Sequence, residues 1–404
     1  MSCKLNDVCE LIVDCPHSTE PDEGDGYPII RTPNIGVGYL DLEGVQRVSR
    51  AAYDRRNIRA VPRPNDLILA REAPAGNVGI IREGTEVCLG QRTVLIRPNA
   101  EKVSPLFLNY YLNAPKQRHA LLSNSNGATV SHVNMPIIRN LVIELPDRET
   151  QDRIADVLSA YDELVENNRR QIKLLEEAAQ RLYREWFIDL KFPGHETTPI
   201  VVGLPEGWKK GNLLDCVDFF RGKSYTSDNL DDSGKMRLAN LNNIAAYGGW
   251  SFGAEKPYKG VYKADQLISS GDVIMAVTDM TKERRLVGHV ARVPKQADGF
   301  LMSMDLIKLV PKSVTASYLY ATLRFSGAAE MIAMLANGTN VLHLKPDMLS
   351  RISFVSPDCE TQERFSIVSE LLFSMCERLE QKAALAREAR DRLLPKLMSG
   401  EIEV

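Results

Sequence analysis

A chain that copies itself once must fold one architecture twice. Pro146-Asp147-Arg148-Glu149-Thr150-Gln151-Asp152-Arg153 returns 211 residues later as Pro357-Asp358-Cys359-Glu360-Thr361-Gln362-Glu363-Arg364. The same offset carries Gly127, Val130 and His132 onto Gly338, Val341 and His343. It also carries Glu177, Ala178, Arg181 and Leu182 onto Glu388, Ala389, Arg392 and Leu393. A period this long is a domain-sized unit used twice rather than a solenoid of short repeats. Within 404 residues, two to four separately cored domains fit.

The repeat separates two kinds of sequence. Residues 147–187 form one uninterrupted helical pattern, entered through Pro146 and an Asp147 N-cap and free of Pro and Gly until Pro193-Gly194. A heptad register places Ile154, Tyr161, Asn168, Leu175 and Leu182 at a, and Val157, Leu164, Gln171, Ala178 and Glu185 at d. Shifted by 211, a holds Phe365, Leu372, Leu379, Ala386 and Leu393, and d holds Val368, Met375, Lys382, Ala389 and Lys396. Two helices with one seam suggest a coiled-coil pair, each on the order of 55 Å long at about 1.5 Å per residue. Packing of each helix on its own domain is the alternative. The expected interface residues are Ile154, Val157, Tyr161, Leu164, Leu175, Leu182, Phe365, Val368, Leu372, Met375, Leu379 and Leu393. Pro395 is expected to end or bend the second helix, with Gly400 past its end.

Between the helices the pattern changes to short apolar strands punctuated by Gly and Pro. Asp66–Ala70 and Asp272–Ala276 are each followed by a Val-Gly strand and then by Thr93–Pro98 or Leu306–Pro311. With short helices such as Pro105–Leu112 and Ala316–Phe325, each large segment reads as a mixed α/β globule, so the fold class is α+β. The expected division is a first globule at 1–146, a helix at 147–192, a linker at 193–204, a second globule at 205–357 and a C-terminal helix at 358–404.

The net charge of −3 hides a division, since residues 205–357 hold 19 basic against 15 acidic residues while both helical stretches are acidic. Local basicity of this kind accompanies nucleic-acid binding, or is ordinary solvated surface. Seven cysteines without a C-x-x-C pair suggest reduced thiols and a cytoplasmic location. No apolar run is long enough to span a bilayer. Signatures for phosphate loops, zinc proteases and serine hydrolases are missing, and Gly36-Val37-Gly38 lacks the third glycine of a dinucleotide fingerprint. His132 and His343, each in a Gly-x-x-Val-x-His pattern, are either a repeated ligand contact or turn anchors.

Donor-rich polar residues remain as candidate readers of DNA. Arg31 and Asn34 in the first globule parallel Arg237, Asn240 and Asn242 in the second. Arg71, Asn77, Gln91 and Arg92 gather near the central strands of the first, and Thr278, Lys282, Arg284 and Arg285 occupy that region of the second. Arg, Asn and Gln pair in bidentate fashion with guanine and adenine edges, and Lys and Arg hold phosphates.

The Pro-Asp-x-Glu-Thr-Gln repeat, Leu182-Tyr183-Arg184-Glu185-Trp186-Phe187-Ile188-Asp189, Leu204-Pro205-Glu206-Gly207-Trp208-Lys209 and Leu393-Leu394-Pro395-Lys396-Leu397-Met398-Ser399-Gly400 occur in a specific order. Together they resemble the specificity subunit of Type I restriction–modification systems over the whole chain. The first half lacks the Leu-Pro-x-x-Trp lead-in of the second. The resemblance implies two target-recognition domains joined by two antiparallel conserved helices, with no catalytic residue, cofactor or metal in this chain. The implied partners are double-stranded DNA, two modification (methyltransferase) subunits that use S-adenosylmethionine, and restriction subunits that use ATP and Mg. The target is then split and asymmetric, with half-sites about one helical turn apart. A two-lobed protein–protein scaffold is the alternative function, and an enzyme with an unrecognised site a third.

Overall fold

A computed structural model describes residues 2–123, 132–281, 283–295 and 299–404. The chain divides into two compact units, one formed by residues 1–164 with 386–404 and the other by residues 165–385.

In the first unit, Cys9–Asp14 (β1), Leu67–Ala70 (β2), Val78–Ile80 (β3) and Thr93–Pro98 (β4) form an antiparallel sheet in the order β1-β4-β2-β3. All four residues of β2 are buried, which explains why it reads as a continuous apolar run rather than an alternating one. Tyr27–Ile30 pairs antiparallel with Arg47–Val48 and parallel with Cys88–Leu89 to make a smaller sheet. Pro105–Asn113 (α1) starts with Pro at its first position, where the missing N–H costs no helical bond. Its Phe107, Leu108 and Leu112 join Leu67, Leu69, Val94 and Ile96 in one core.

Arg148–Tyr183 (α2) is the long helix expected after Pro146, and a π-helical turn at Arg184–Ile188 ends it. In the second unit, Val217–Arg221 (β5), Val273–Ala276 (β6), Val290–Arg292 (β7) and Leu306–Pro311 (β8) are again antiparallel. Their order is β5-β8-β6-β7, so the first-unit topology recurs. The smaller sheet recurs too, with a parallel Leu238↔Leu301 pairing corresponding to Ile29↔Cys88, and gains a strand at Leu267–Ile268. Ala316–Phe325 (α3) takes the place of α1.

Cys359–Ser399 (α4) is the second long helix. It continues through Pro395 instead of stopping there, and Gly400, at φ 74°, follows its end. The proline lies exposed one turn from the terminus, where it removes a single hydrogen bond from a helix already anchored by buried Leu394 and Leu397. Inside the first unit, Ile154, Ala155 and Leu158 near the start of α2 share a core with Leu394 and Leu397 near the end of α4. Inside the second, Ala179 and Tyr183 near the end of α2 share one with Phe365 and Phe373 near the start of α4. The two helices therefore run antiparallel and in contact, within an α+β fold.

The expected seam positions divide by burial. The a column is buried or half-buried at Ile154, Tyr161, Asn168, Leu175 and Leu182, and at Phe365, Leu372, Leu379, Ala386 and Leu393. The d column is displaced from the seam: Leu164, Val368 and Met375 are exposed and Val157 is half-buried. The second inward column stands one residue later, at Gln151, Leu158, Val165, Ile172 and Ala179 and, after 211 residues, at Gln362, Ser369, Cys376, Ala383 and Arg390. This column includes the polar Gln151, Gln362, Ser369 and Arg390, so apolar periodicity points instead to the neighbouring Val, Leu and Met.

Candidate nucleic-acid interface

The repeated hexapeptide is a helix cap joined to a latch. Asp147 accepts from the Thr150 N–H at 3.0 Å and from its hydroxyl at 2.9 Å. Asp358 does the same with Thr361, at 2.9 and 2.6 Å. The hydrogen bonds from Thr150 hold the exposed Asp147 carboxyl below its ordinary pKa. Burial opposes ionisation of Asp358, but bonds from Thr361 and the Trp208 indole outweigh it and the net shift is downward. Gln151 then accepts from the Ser104 N–H at 3.0 Å and donates to the Pro146 carbonyl at 2.9 Å. Gln362 accepts from the Thr315 N–H at 2.8 Å and donates to the Pro357 carbonyl at 2.7 Å. Ser104 and Thr315 are the N-caps of α1 and α3, so one glutamine in each unit fastens the globule to the start of a long helix.

On this repeated frame the candidate DNA-reading residues fall into two groups. Several are occupied within the fold. Arg71 is buried, donating to the Val133 carbonyl at 2.8 Å and to Asp14 at 2.7 Å, and lying 2.7 Å from His132 Nε2. Asn77 is buried and donates to the Ile35 carbonyl. Asn34 accepts from the Arg31 N–H, and buried Asn240 accepts from the Asn242 N–H while donating to the Ala254 carbonyl. Thr278 is buried in a two-residue strand, and half-buried Arg284 donates to the Ala333 carbonyl. The second group reaches solvent. Arg31, Arg92, Arg237, Asn242 and Arg285 are exposed and Gln91 is half-buried. Arg92 pairs at 2.9 Å with the largely buried Glu72, and Arg285 pairs with Glu283 at 3.2 Å at the surface, where such a pair exchanges readily with solvent or an incoming anion. Lys282, Gly127 and Val130 lie outside the described residues.

The two histidines hold matching places in the chain. In the first unit the Val133 N–H donates to the carbonyl of Arg71, just past β2, and in the second the Leu344 N–H donates to that of Val277, just past β6. The segment carrying each histidine therefore crosses the exit of a central strand. The ring of His132 is held by Glu72 at 2.5 Å as well as by Arg71, whereas His343 is exposed. In the second unit the turn after that strand is organised by Asp279, which accepts from Thr281, Leu286 and Val287. Burial alone raises its pKa, but these bonds outweigh burial and leave it below the ordinary value. Asp14, Glu72 and Asp279 carry no base-reading signal in the sequence, because acids organise these loops through contacts that only the fold brings together. Among the described residues, no group of His, Cys, Asp and Glu is arranged to hold a metal ion. No helix there is long and apolar enough to cross a membrane.

Comparison with known proteins follows the same lines. Residues 1–177 match the family model described as Type I restriction modification DNA specificity domain. The chain is 25% identical to the Type I restriction enzyme MjaIX specificity subunit of Methanocaldococcus jannaschii, over 99% of this chain and 93% of that one. It is 22% identical to the HindI specificity subunit of Haemophilus influenzae, over 76% of this chain and 80% of that one. The crystal structure of an S subunit from M. genitalium superposes with a TM-score of 0.60 at 13% identity, covering 98% of this chain and 95% of the other, and shares its fold.

Proposed function

The chain belongs to the Type I restriction–modification specificity subunits, and from that premise we propose that its two globules read the two halves of a split, asymmetric DNA target. The observation that carries this reading is the contrast between frame and loops. The sheet order, the parallel side pairing and the glutamine latch recur in both units. The exposed donors do not: Arg31 and Arg92 stand in one unit, and Arg237, Asn242 and Arg285 in the other. Equal frames present unequal side chains, as a reader of two different words requires. Arginine and asparagine at the surface match guanine and adenine edges, and each mismatched pair costs roughly 1–3 kcal/mol, so two linked readers multiply their discrimination.

The helices supply the assembly. Leu164 on α2 and its counterpart Met375 on α4 lie exposed at matching positions; Val368 is exposed too, while its counterpart Val157 packs on the first unit's core. Exposed Ile367 and Leu371 extend the apolar strip on α4. The matching Leu164 and Met375 positions fit two copies of one partner, the modification subunit, which supplies S-adenosylmethionine chemistry. Asp156 and Ala160 stand on α2 where α4 has Ile367 and Leu371. Restriction subunits supply ATP-driven cleavage in the presence of Mg. The chain's own contribution is recognition and spacing, and with a formal charge of −3 it leaves much of the phosphate binding to its partners. The test is to map methylated adenines in cells expressing the modification subunit with and without this chain. Expected is a single two-part motif that is methylated only when the chain is present; methylation that is unchanged without it contradicts the reading.

A further inference from the structure

Two helix faces that bind one partner at matching positions bind it unequally when one of them carries more apolar surface. On α4, Ile367, Leu371 and Met375 recur at every fourth residue with Val368 beside them, so the four side chains line one face. In that order they are 69, 65, 48 and 42% exposed. Phe365 and Phe373, on the opposite side of the helix, pack into the second unit's core, so the strip points away from the globule. An exposed apolar strip of this kind marks an interaction surface. Four side chains alone fall short of the roughly 800 Å² that each partner of a stable complex buries, so the strip adds to a larger contact.

The surroundings of the strip are duplicated on α2. Arg153 pairs with Glu149 on α2 and Arg364 with Glu360 on α4, at matching positions about one turn before the strip. Further along, exposed Leu174 answers exposed Leu385. The strip itself is not duplicated. Where α4 has Ile367, Leu371, Met375 and Val368, α2 has Asp156, Ala160, Leu164 and Val157. Leu164 is 43% exposed, but Val157 is taken up by the first unit's core, and exposed Ala160 and Asp156 offer one methyl group and one charge.

A partner that recognises the shared ion pair and the shared leucine and Leu164/Met375 positions fits both helices. On α2 it buries fewer large aliphatic side chains, and an apolar partner face laid there also strips water from the Asp156 carboxylate. We propose that the two modification-subunit sites are unequal. The site at the start of α4, on the second unit, takes the first copy tightly; the site at the start of α2, on the first unit, takes the second copy weakly. A one-to-one complex is then a populated intermediate of assembly. The inference rests on the docking of modification subunits on the helices proposed above and specifies which face is filled first.

The test is a titration of the full chain with its modification subunit, followed by native mass spectrometry and sedimentation velocity. Expected are two steps whose site dissociation constants differ at least tenfold, about 1.4 kcal/mol. Ile367→Asp combined with Leu371→Ala gives α4 the residues of α2; it should weaken the tight site at least tenfold and bring the two constants together. Asp156→Ile combined with Ala160→Leu should tighten the weak site and leave the tight one alone. All four positions are exposed, so thermal melting of both variants should match that of the unsubstituted chain. Equal constants in the unsubstituted chain, or a tight site unmoved by the α4 substitutions, overturn the proposal while the docking reading stands. Absence of binding at micromolar modification subunit overturns both.

Discussion

The two units use one frame and finish it with different materials. Where the end of α4 closes the first unit, Leu394 and Leu397 supply aliphatic packing, and the Asp162–Arg390 pair with Tyr110 supplies the polar link. Where the end of α2 closes the second, Trp186 and Phe187 pack against Phe365, with Phe187 also edge-on to Tyr318 at 4.7 Å and near Trp208 at 5.8 Å. The repeat positions coincide, since Trp186 corresponds to Leu397. A duplicated fold therefore conserves backbone bonds and helix registration while its side-chain packing drifts, provided each end still buries an apolar surface.

Breaking the dissimilar ends gives the largest expected effects. Arg390→Leu strands the Asp162 carboxylate in a largely buried place and should cost the first unit about 3–5 kcal/mol, read as a fall in denaturant midpoint. Phe187→Ala removes the ring at the centre of the aromatic cluster and should cost the second unit about 3–5 kcal/mol in the same measurement. Breaking the shared frame gives smaller and matched effects. Gln151→Ala and Gln362→Ala each leave the cap N–H of α1 or α3 without its acceptor and should each cost about 1–3 kcal/mol; strongly unequal losses would show that the latch is not equivalent in the two units.

A pH series sharpens the contrast further. The carboxyls of Asp279 and Asp358 have folded pKa values below their ordinary 3.8, so their contribution is present above that value and is lost as pH falls through the lower folded one. Asp279→Asn should flatten the acid limb of the second unit's stability below about pH 4. The smallest effect on folding belongs to the outer strip. Leu164→Lys and Met375→Lys should change stability by less than about 0.5 kcal/mol, while each weakens capture of one modification subunit in a sedimentation assay.

The frame was legible in the sequence because its signals are local. The Asp147 and Asp358 caps, the buried strand runs at Leu67–Ala70 and Val273–Ala276 and the two long helices all follow from patterns of fewer than eight residues or from simple periodicity. The helical seam was legible only in its apolar column. Its partner column contains Gln151, Gln362 and Arg390, whose inward positions make sense once Ser104, Thr315 and Asp162 are known to face them. The candidate site was the least legible part. Arg71 and Asn77 have the right chemistry for reading bases, but Asp14, Val133 and Ile35, distant in sequence, claim their donors. Exposure separates Arg31 and Arg237 from Arg71, and exposure is a tertiary property.

The central claim is that each globule reads its own half of the target while the helices fix the distance between halves. It is tested most directly by replacing residues 1–146 with the corresponding segment of another specificity subunit and mapping methylated adenines across the genome. The account predicts that one half of the motif changes while the other half and the spacing persist; a change in both halves, or in the spacing, would contradict it.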